Sequence, residues 1–133
     1  MAMKKRDTLL SYLEDYYDRN CETALVWRRG LRMVRWSYRK VWEVAVEWSE
    51  ELAARQISKS DRVLFYAENS PDWVAAFFGC LLRGAVVVPF DVQSAPDFVL
   101  RVQQQVEAKL LLVGTVKDRV PDLVGIPILS IEN

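Results

Sequence analysis

The segment from Asn69 to Asp91 carries the start and stop signals of one helix followed directly by one strand. Ser70 can accept a hydrogen bond from a free backbone N–H, and Pro71 suits the first helical position because it lacks an N–H. Gly84 can adopt the left-handed conformation that ends many helices. The residues from Ala85 to Val88 are apolar on both faces, which is typical of a parallel strand covered on each side. The segment therefore predicts a helix and a buried strand of an α/β fold.

Hydrophobic periodicity divides the rest of the chain into helices and strands. The predicted elements are a helix over 7–19, strands over 23–29 and 31–38 that turn near Gly30, a helix over 38–55, a strand over 62–67, a helix from 71, a strand over 86–89, a helix that starts at 94–97, a strand over 109–113, an irregular stretch over 116–125 and a last strand over 126–131. Helices and strands alternate after the hairpin, which favours right-handed crossovers and a parallel sheet.

We therefore expect one α/β domain over residues 1–133. Residues 39–133 are expected to form three layers, with a mostly parallel sheet flanked by helices. An N-terminal helix and a β-hairpin over residues 1–38 precede them.

Residue types along three predicted helices indicate which sides are buried. The helix over 38–55 has Ser37 as its expected N-cap, and its inward positions are Val41, Ala45, Trp48 and Leu52. The helix from Pro71 has one apolar side and one side of small residues, so it is expected to be packed nearly all round. The small residues are Ala75, Ala76, Gly79 and Cys80. In the next helix the positions expected to face inward are Phe98, Val102 and Val106.

Composition favours a folded protein with balanced charge. Of the 133 residues, 51% are hydrophobic and five are tryptophan, so the chain can bury a core. The chain has eighteen basic and eighteen acidic residues. Its net charge therefore does not favour binding to nucleic acid or to an anionic surface. We find no secretory signal and no apolar segment long enough to span a bilayer. Cys21 and Cys80 are expected to be reduced thiols, so we predict a cytoplasmic location.

The residue types that are missing exclude several kinds of chemistry. The sequence contains no histidine, which excludes Ser-His-Asp and Cys-His nucleophiles. Two distant cysteines cannot supply the four ligands of a zinc site. None of the five glycines belongs to a GxxxxGK[ST] or GxGxxG motif, so the sequence predicts no loop that cradles phosphate groups. We therefore name no catalytic, cofactor-binding or metal-binding residue.

One candidate site lies where two predicted parallel strands end. Glu68 and Asn69 follow one strand, and Phe90, Asp91 and Gln93 follow the next. Ligands bind such sheets where successive crossovers go to opposite faces, and two carboxylates there could serve as an acid–base pair or hold a hard metal ion. The alternative is structural, with Asn69 and Asp91 bonding to the backbone of their own turns.

A second candidate is the basic run Arg28–Lys40, in which arginines alternate with aromatic residues and no acid occurs. Such a hairpin could stack on nucleotides and neutralise phosphates. In the alternative interpretation one face is wet and the arginine stems lie over the tryptophans. Cys80 is a third candidate, as a nucleophile, but it has no base beside it and its apolar setting favours a role in the core.

Four motifs occur in an order that resembles the opening segment of the adenylate-forming (AMP-binding) superfamily. They are Trp36-Ser37-Tyr38, Ser60-Asp61-Arg62-Val63, Asn69-Ser70-Pro71-Asp72-Trp73 and the run from Leu81 to Asp91. The resemblance covers about Thr23 to Val113. Members of the family usually have Gly-Val-x-x-Gly-Asp-Arg-Val before the strand, whereas Gln56 and Ser60 replace the two glycines here. Either Gln56 is strained or the loop takes another path.

The resemblance implies that the whole protein activates a carboxylic acid with ATP and magnesium, forming an acyl-adenylate and then a thioester with coenzyme A or a carrier protein. The family's phosphate loop and catalytic lysine lie beyond the position that matches Asn133. The chain is therefore expected to be an N-terminal fragment that serves as a non-catalytic scaffold. Surfaces left open by truncation are expected to make it a homo-oligomer. The alternative is a stand-alone binding module that uses the Glu68/Asp91 cleft or the basic hairpin.

Overall fold

A computed structural model of the chain describes residues 8–114 and 125–132. Its elements are α1 (Leu10–Arg19), β1 (Thr23–Arg29), β2 (Arg32–Ser37), α2 (Tyr38–Ala54), β3 (Arg62–Tyr66), α3 (Pro71–Leu82), β4 (Val86–Phe90), α4 (Pro96–Val106), β5 (Leu110–Val113) and β6 (Ile128–Ser130). The predicted order of helices and strands is confirmed. The irregular stretch predicted over 116–125 lies almost wholly outside the described residues.

The strands within the described ranges form two separate sheets. β1 and β2 pair antiparallel as a two-stranded ribbon. The other four strands are parallel in the order β4-β3-β5-β6, which confirms the predicted α/β class. No helix within residues 8–114 and 125–132 is both long and apolar enough to cross a membrane.

The central strand β3 shows how the sheet separates two cores. Its alternate side chains point to opposite faces. Val63 and Phe65 pack with α2 and α3, whereas Leu64 and Tyr66 pack with α4. The sheet is therefore the middle of three layers, as expected from the sequence. The inner face of the hairpin covers the far side of α2 and α3, where Trp36 joins a third cluster of buried residues.

The predicted helix starts are confirmed in atomic detail. The Ser37 hydroxyl accepts a hydrogen bond from Lys40 N at 3.1 Å, and the Ser70 hydroxyl accepts one from Trp73 N at the same distance. The expected inward positions of α2 are all buried; they are Val41, Ala45, Trp48 and Leu52. The side of small residues predicted for α3 is buried as well.

Helices α2 and α3 end in the same hydrogen-bonding pattern around a left-handed residue. At the end of α3, Gly84 has φ +72°, and its N–H donates to Leu81 O while Ala85 N donates to Cys80 O. At the end of α2 the left-handed residue is Gln56, with φ +63°, and Ser60 follows with φ +72°. The loop therefore keeps the backbone conformation that suits glycine although neither residue is glycine.

Two expectations about burial are wrong. The faces of β4 are not fully covered: Val86 remains 46% exposed, and the strand lies at the edge of the sheet beside β3. In α4 the deeply buried residue is Val99, whereas Phe98 lies largely at the surface against Phe90. Adjacent apolar residues leave the inward direction of a short helix ambiguous, and contact with the sheet decides it.

Candidate functional site

The strand order locates the place where successive crossovers diverge. β3 lies between β4 and β5. The chain passes from β3 through α3 to β4 on one side, and then through α4 to β5 on the other side. The divergence therefore lies between β3 and β5. The loop with Glu68 and Asn69 borders it, whereas Asp91 follows the edge strand β4. Tyr66 pairs with Phe90, and these are the last residues of β3 and β4, so the two loops begin side by side at the carboxyl ends of the strands.

The polar groups after β4 are used to build the turn itself. Asp91 Oδ1 accepts a hydrogen bond from Gln93 N at 2.8 Å, and Ser94 N donates to Asp91 O at 2.9 Å. The buried Tyr66 hydroxyl donates to Val92 O at 3.1 Å and also contacts Ser94 O at 3.3 Å. These hydrogen bonds hold the loop against the sheet. Asp91 therefore bonds to the backbone of its own turn, which is the structural alternative to a binding site.

A second constellation lies between the hairpin, α2 and the start of α3. It surrounds a cavity of about 280 Å³ lined by Trp27, Arg29, Val34, Trp36, Lys40, Val44 and Asp72. We call it the tryptophan pocket. Lys40 Nζ lies 4.6 Å from the centroid of the Trp36 ring, and the Arg29 guanidinium lies 5.7 Å from that of Trp27. The charged ends of Arg29 and Lys40 thus lie near the two indole rings, which favours the structural interpretation of the hairpin.

Two carboxylates complete the charge pattern of the tryptophan pocket. Arg29 Nη2 lies 3.8 Å from Glu132 Oε2, which links the hairpin to the residues after β6. Burial raises the pKa of the Asp72 carboxyl, and the negative charge of Glu132 raises it further, whereas Lys40 and Arg29 lower it. Paired charges and two indole rings suit binding or structural support. They do not form an acid–base pair with a nucleophile.

We predict that Glu132→Gln lowers the pKa of Asp72 toward the ordinary aspartate value, because it removes the neighbouring negative charge. A pH titration of the Asp72 carboxyl carbon by NMR measures this shift. In the wild type the pKa is raised on folding. The protonated Asp72 carboxyl therefore contributes to the free energy of unfolding. This contribution is complete below the unfolded pKa of about 4 and is lost as pH rises through the folded pKa.

Glu47→Gln serves as the control for this titration, since Glu47 lies on the exposed side of α2. It should leave the titration of Asp72 unchanged. An Asp72 pKa at or below the ordinary aspartate value in the wild type would contradict the electrostatic description of the tryptophan pocket.

The sequence does not predict this pocket as a unit. From the sequence, Asp72 is recognised only as part of the motif at the start of α3. Arg29 and Glu132 lie at opposite ends of the chain, and no local pattern joins them. The alternation of Leu25, Trp27 and Arg29 along β1 is the one signal that places an indole and a cation on the same face of the ribbon.

Cys80 is a core residue. It is fully buried beside Trp48 and Leu52, and burial raises the pKa of its thiol to about 12. At neutral pH it is therefore a thiol and not a thiolate nucleophile. The interpretation of Cys80 as core packing is confirmed.

Comparison with known proteins gives one consistent family. A model of the family described as AMP-binding enzyme matches residues 15–129. Among curated proteins, the chain is 39% identical over 77 residues to a 3-hydroxybenzoate–CoA/4-hydroxybenzoate–CoA ligase of Thauera aromatica. That alignment covers 58% of this chain and 15% of the relative. A D-alanine–D-alanyl carrier protein ligase of Bacillus cytotoxicus is 28% identical over 91 residues, which cover 68% of this chain and 17% of the relative.

Solved structures share the fold. A fatty acyl-adenylate ligase from L. pneumophila superposes with a TM-score of 0.81 at 19% identity, over 94% of this chain and 23% of that chain. The N-terminal subdomain of NpsA from Klebsiella oxytoca gives 0.77 at 21% identity, over 92% of this chain and 30% of that chain. The chain thus spans only a small part of the proteins that it matches.

Proposed function

The chain belongs to the AMP-binding enzyme family, and on that premise we propose that it forms the opening scaffold of an acid–thiol ligase. The whole protein would activate a carboxylic acid with ATP to an acyl-adenylate and pass the acyl group to a thiol. The acid and the thiol are proposed as classes, with coenzyme A and a carrier protein as the two candidate acceptors.

The family match over residues 15–129 carries this proposal. The relatives indicate the range of chemistry, since one is named as joining hydroxybenzoates to coenzyme A and another as joining D-alanine to a carrier protein. These names support a carboxylic acid and a thiol acceptor without choosing between the acids.

The side chains support a scaffolding role for the chain itself. In the described ranges, no three or more acidic or cysteine side chains are grouped to hold a metal ion. The Asp91 carboxylate accepts a turn hydrogen bond, and the Cys80 thiol stays protonated in the core. We propose that the chain positions the rest of the ligase.

We predict that the chain alone catalyses no ATP–pyrophosphate exchange, because its sequence holds no glycine-rich motif that cradles phosphate groups. The assay would offer the acids named by the relatives: 3- and 4-hydroxybenzoate, D-alanine and 4-hydroxybutyrate. A ligase of known activity, assayed in parallel, is the control. Sustained exchange with any acid would contradict the scaffolding role.

The reading frame after codon 133 tests the family reaction separately. A frame that continues into a Ser/Thr/Gly-rich loop ending in Pro-Lys-Gly would support the proposed ligase. A frame that stops at once would count against a ligase and leave the fold unaffected.

Two further parts of the proposal concern assembly and location. We propose a homo-oligomer formed through the open edges of the parallel sheet, where Val86 and Ile128 are exposed. Light scattering that shows only a monomer at high concentration would contradict it.

We also propose a cytoplasmic location, because Cys21 and Cys80 are both free cysteines. Imaging of a tagged full-length protein would test this.

A further inference from the structure

We propose that the outer face and the tip of the β1–β2 hairpin bind an anionic lipid surface. This surface, which we call the hairpin tip, consists of Val26, Arg28, Met33 and Arg35 on the outer face, Leu31 in the turn, and Arg32 at the start of β2, where it pairs with Arg29. It is separate from the tryptophan pocket, which lies under the inner face. The inference goes beyond the proposed ligase and does not depend on it.

Apolar side chains at the hairpin tip project into solvent. Leu31 is 98% exposed, Met33 is 57% exposed and Val26 is 48% exposed. A nearly fully exposed leucine at a turn gains nothing from the fold of its own chain, and grouped apolar side chains at a surface mark interaction sites. These three side chains are placed to enter an apolar layer.

Basic side chains alternate with the apolar ones on the same ribbon. Register places Arg28 beside Met33 and Arg35 beside Val26. No acid occurs from Thr23 to Trp42. The net charge of the chain is zero, so attraction to an anion depends on this local separation of charge.

The arginines of the hairpin tip differ from their neighbours in lacking an acidic partner. Arg29 is paired with Glu132, and Arg39 is paired with Glu43. Among the described residues, no carboxylate lies within ion-pair distance of Arg28, Arg32 or Arg35. Their charge is therefore available to an external anion.

The geometry favours a lipid surface over nucleic acid. Sites for single-stranded nucleic acid stack bases on exposed aromatic rings. Here Trp27 and Trp36 point to the inner face, where Arg29 and Lys40 cover them. What remains outside is a set of exposed aliphatic side chains flanked by arginine. Apolar insertion combined with attraction to acidic headgroups is how peripheral surfaces bind bilayers.

Vesicle flotation tests the proposal with the chain as it stands. Vesicles of phosphatidylcholine alone are compared with vesicles that contain about one fifth phosphatidylserine. We expect binding to the anionic vesicles only, weakening as salt is added. Together Arg28→Gln, Arg32→Gln and Arg35→Gln should lower the partition coefficient on the order of a hundred-fold, at roughly five-fold per charge. Leu31→Ser alone should lower it roughly ten-fold.

The matched controls are Arg101→Gln and Leu100→Ser, which alter exposed positions of α4 beyond the far face of the sheet. Both should bind like the wild type. Arg28→Lys, Arg32→Lys and Arg35→Lys together should keep most of the binding that the glutamine variant loses. Circular dichroism checks that each variant is folded. Failure of the wild type to float with anionic vesicles would overturn the proposal. Equal binding by the glutamine variant, or binding to short RNA or an acidic peptide without vesicles, would overturn it too.

Discussion

Replacing Gly79 with alanine should destabilise the protein by about 3 kcal/mol, although helix propensity alone favours alanine by about 1 kcal/mol. The reason is the close approach of α3 to α2. A Cβ at position 79 would lie 2.5 Å from Trp48 Cβ and 2.9 Å from Ala45 O. Both are atoms at or next to the backbone, so relief requires one helix to shift. Urea unfolding of the variant and the wild type measures the difference.

The sign of the change in unfolding free energy shows whether helix propensity or the clash between α2 and α3 dominates. A variant as stable as the wild type, or more stable, would show that propensity dominates and that the helices are not in close contact. Trp48→Ala is the matched background, because it removes the ring and keeps the Cβ. Alanine at position 79 should cost nearly as much there. A large rescue would assign the clash to the indole ring and not to the approach of the helices.

Local signals predict the elements well because their chemistry lies within a few residues. Ser37 and Ser70 cap helices through their own hydroxyl groups, and Gly84 ends α3 by its own backbone conformation. The small face of α3 predicts close packing for a similar reason, since Gly79 leaves room for a second helix. The capping and helix-ending signals depend on no partner that is distant in sequence.

The arrangement of strands and the tryptophan pocket depend on distant partners. Nothing within β4 indicates that β3 and β5 will occupy the interior, so its apolar run suggests a fully covered strand. Asp72 and Glu132 influence one another only because the fold brings the start of α3 near the end of β6. The sequence predicts the secondary structure and class, whereas the pocket emerges from tertiary packing.

Replacing Gln56 and Ser60 with glycine should stabilise the protein by about 1 kcal/mol at each position. Both residues have positive φ, which costs a residue with a Cβ roughly 1–2 kcal/mol; the greater freedom of unfolded glycine offsets part of the gain. The backbone bonds survive the change: Ile57 N donates to Leu52 O at 2.9 Å, and Ser60 N donates to Gly84 O at 2.9 Å. Denaturant unfolding at fixed pH measures each gain.

The chain supplies its own controls for this loop, because α2 and α3 end in the same pattern. Gly84→Gln should lose at least what Gln56→Gly gains, since a Cβ at position 84 also lies 3.3 Å from Lys59 Cγ. Ser58→Gly should destabilise: Ser58 lacks the positive φ, and its hydroxyl and Asp61 Oδ2 lie 3.1 Å apart. If Gln56→Gly and Ser58→Gly had the same effect, general loop flexibility would explain both. Opposite effects would show that left-handed backbone strain limits stability where the family usually has glycine.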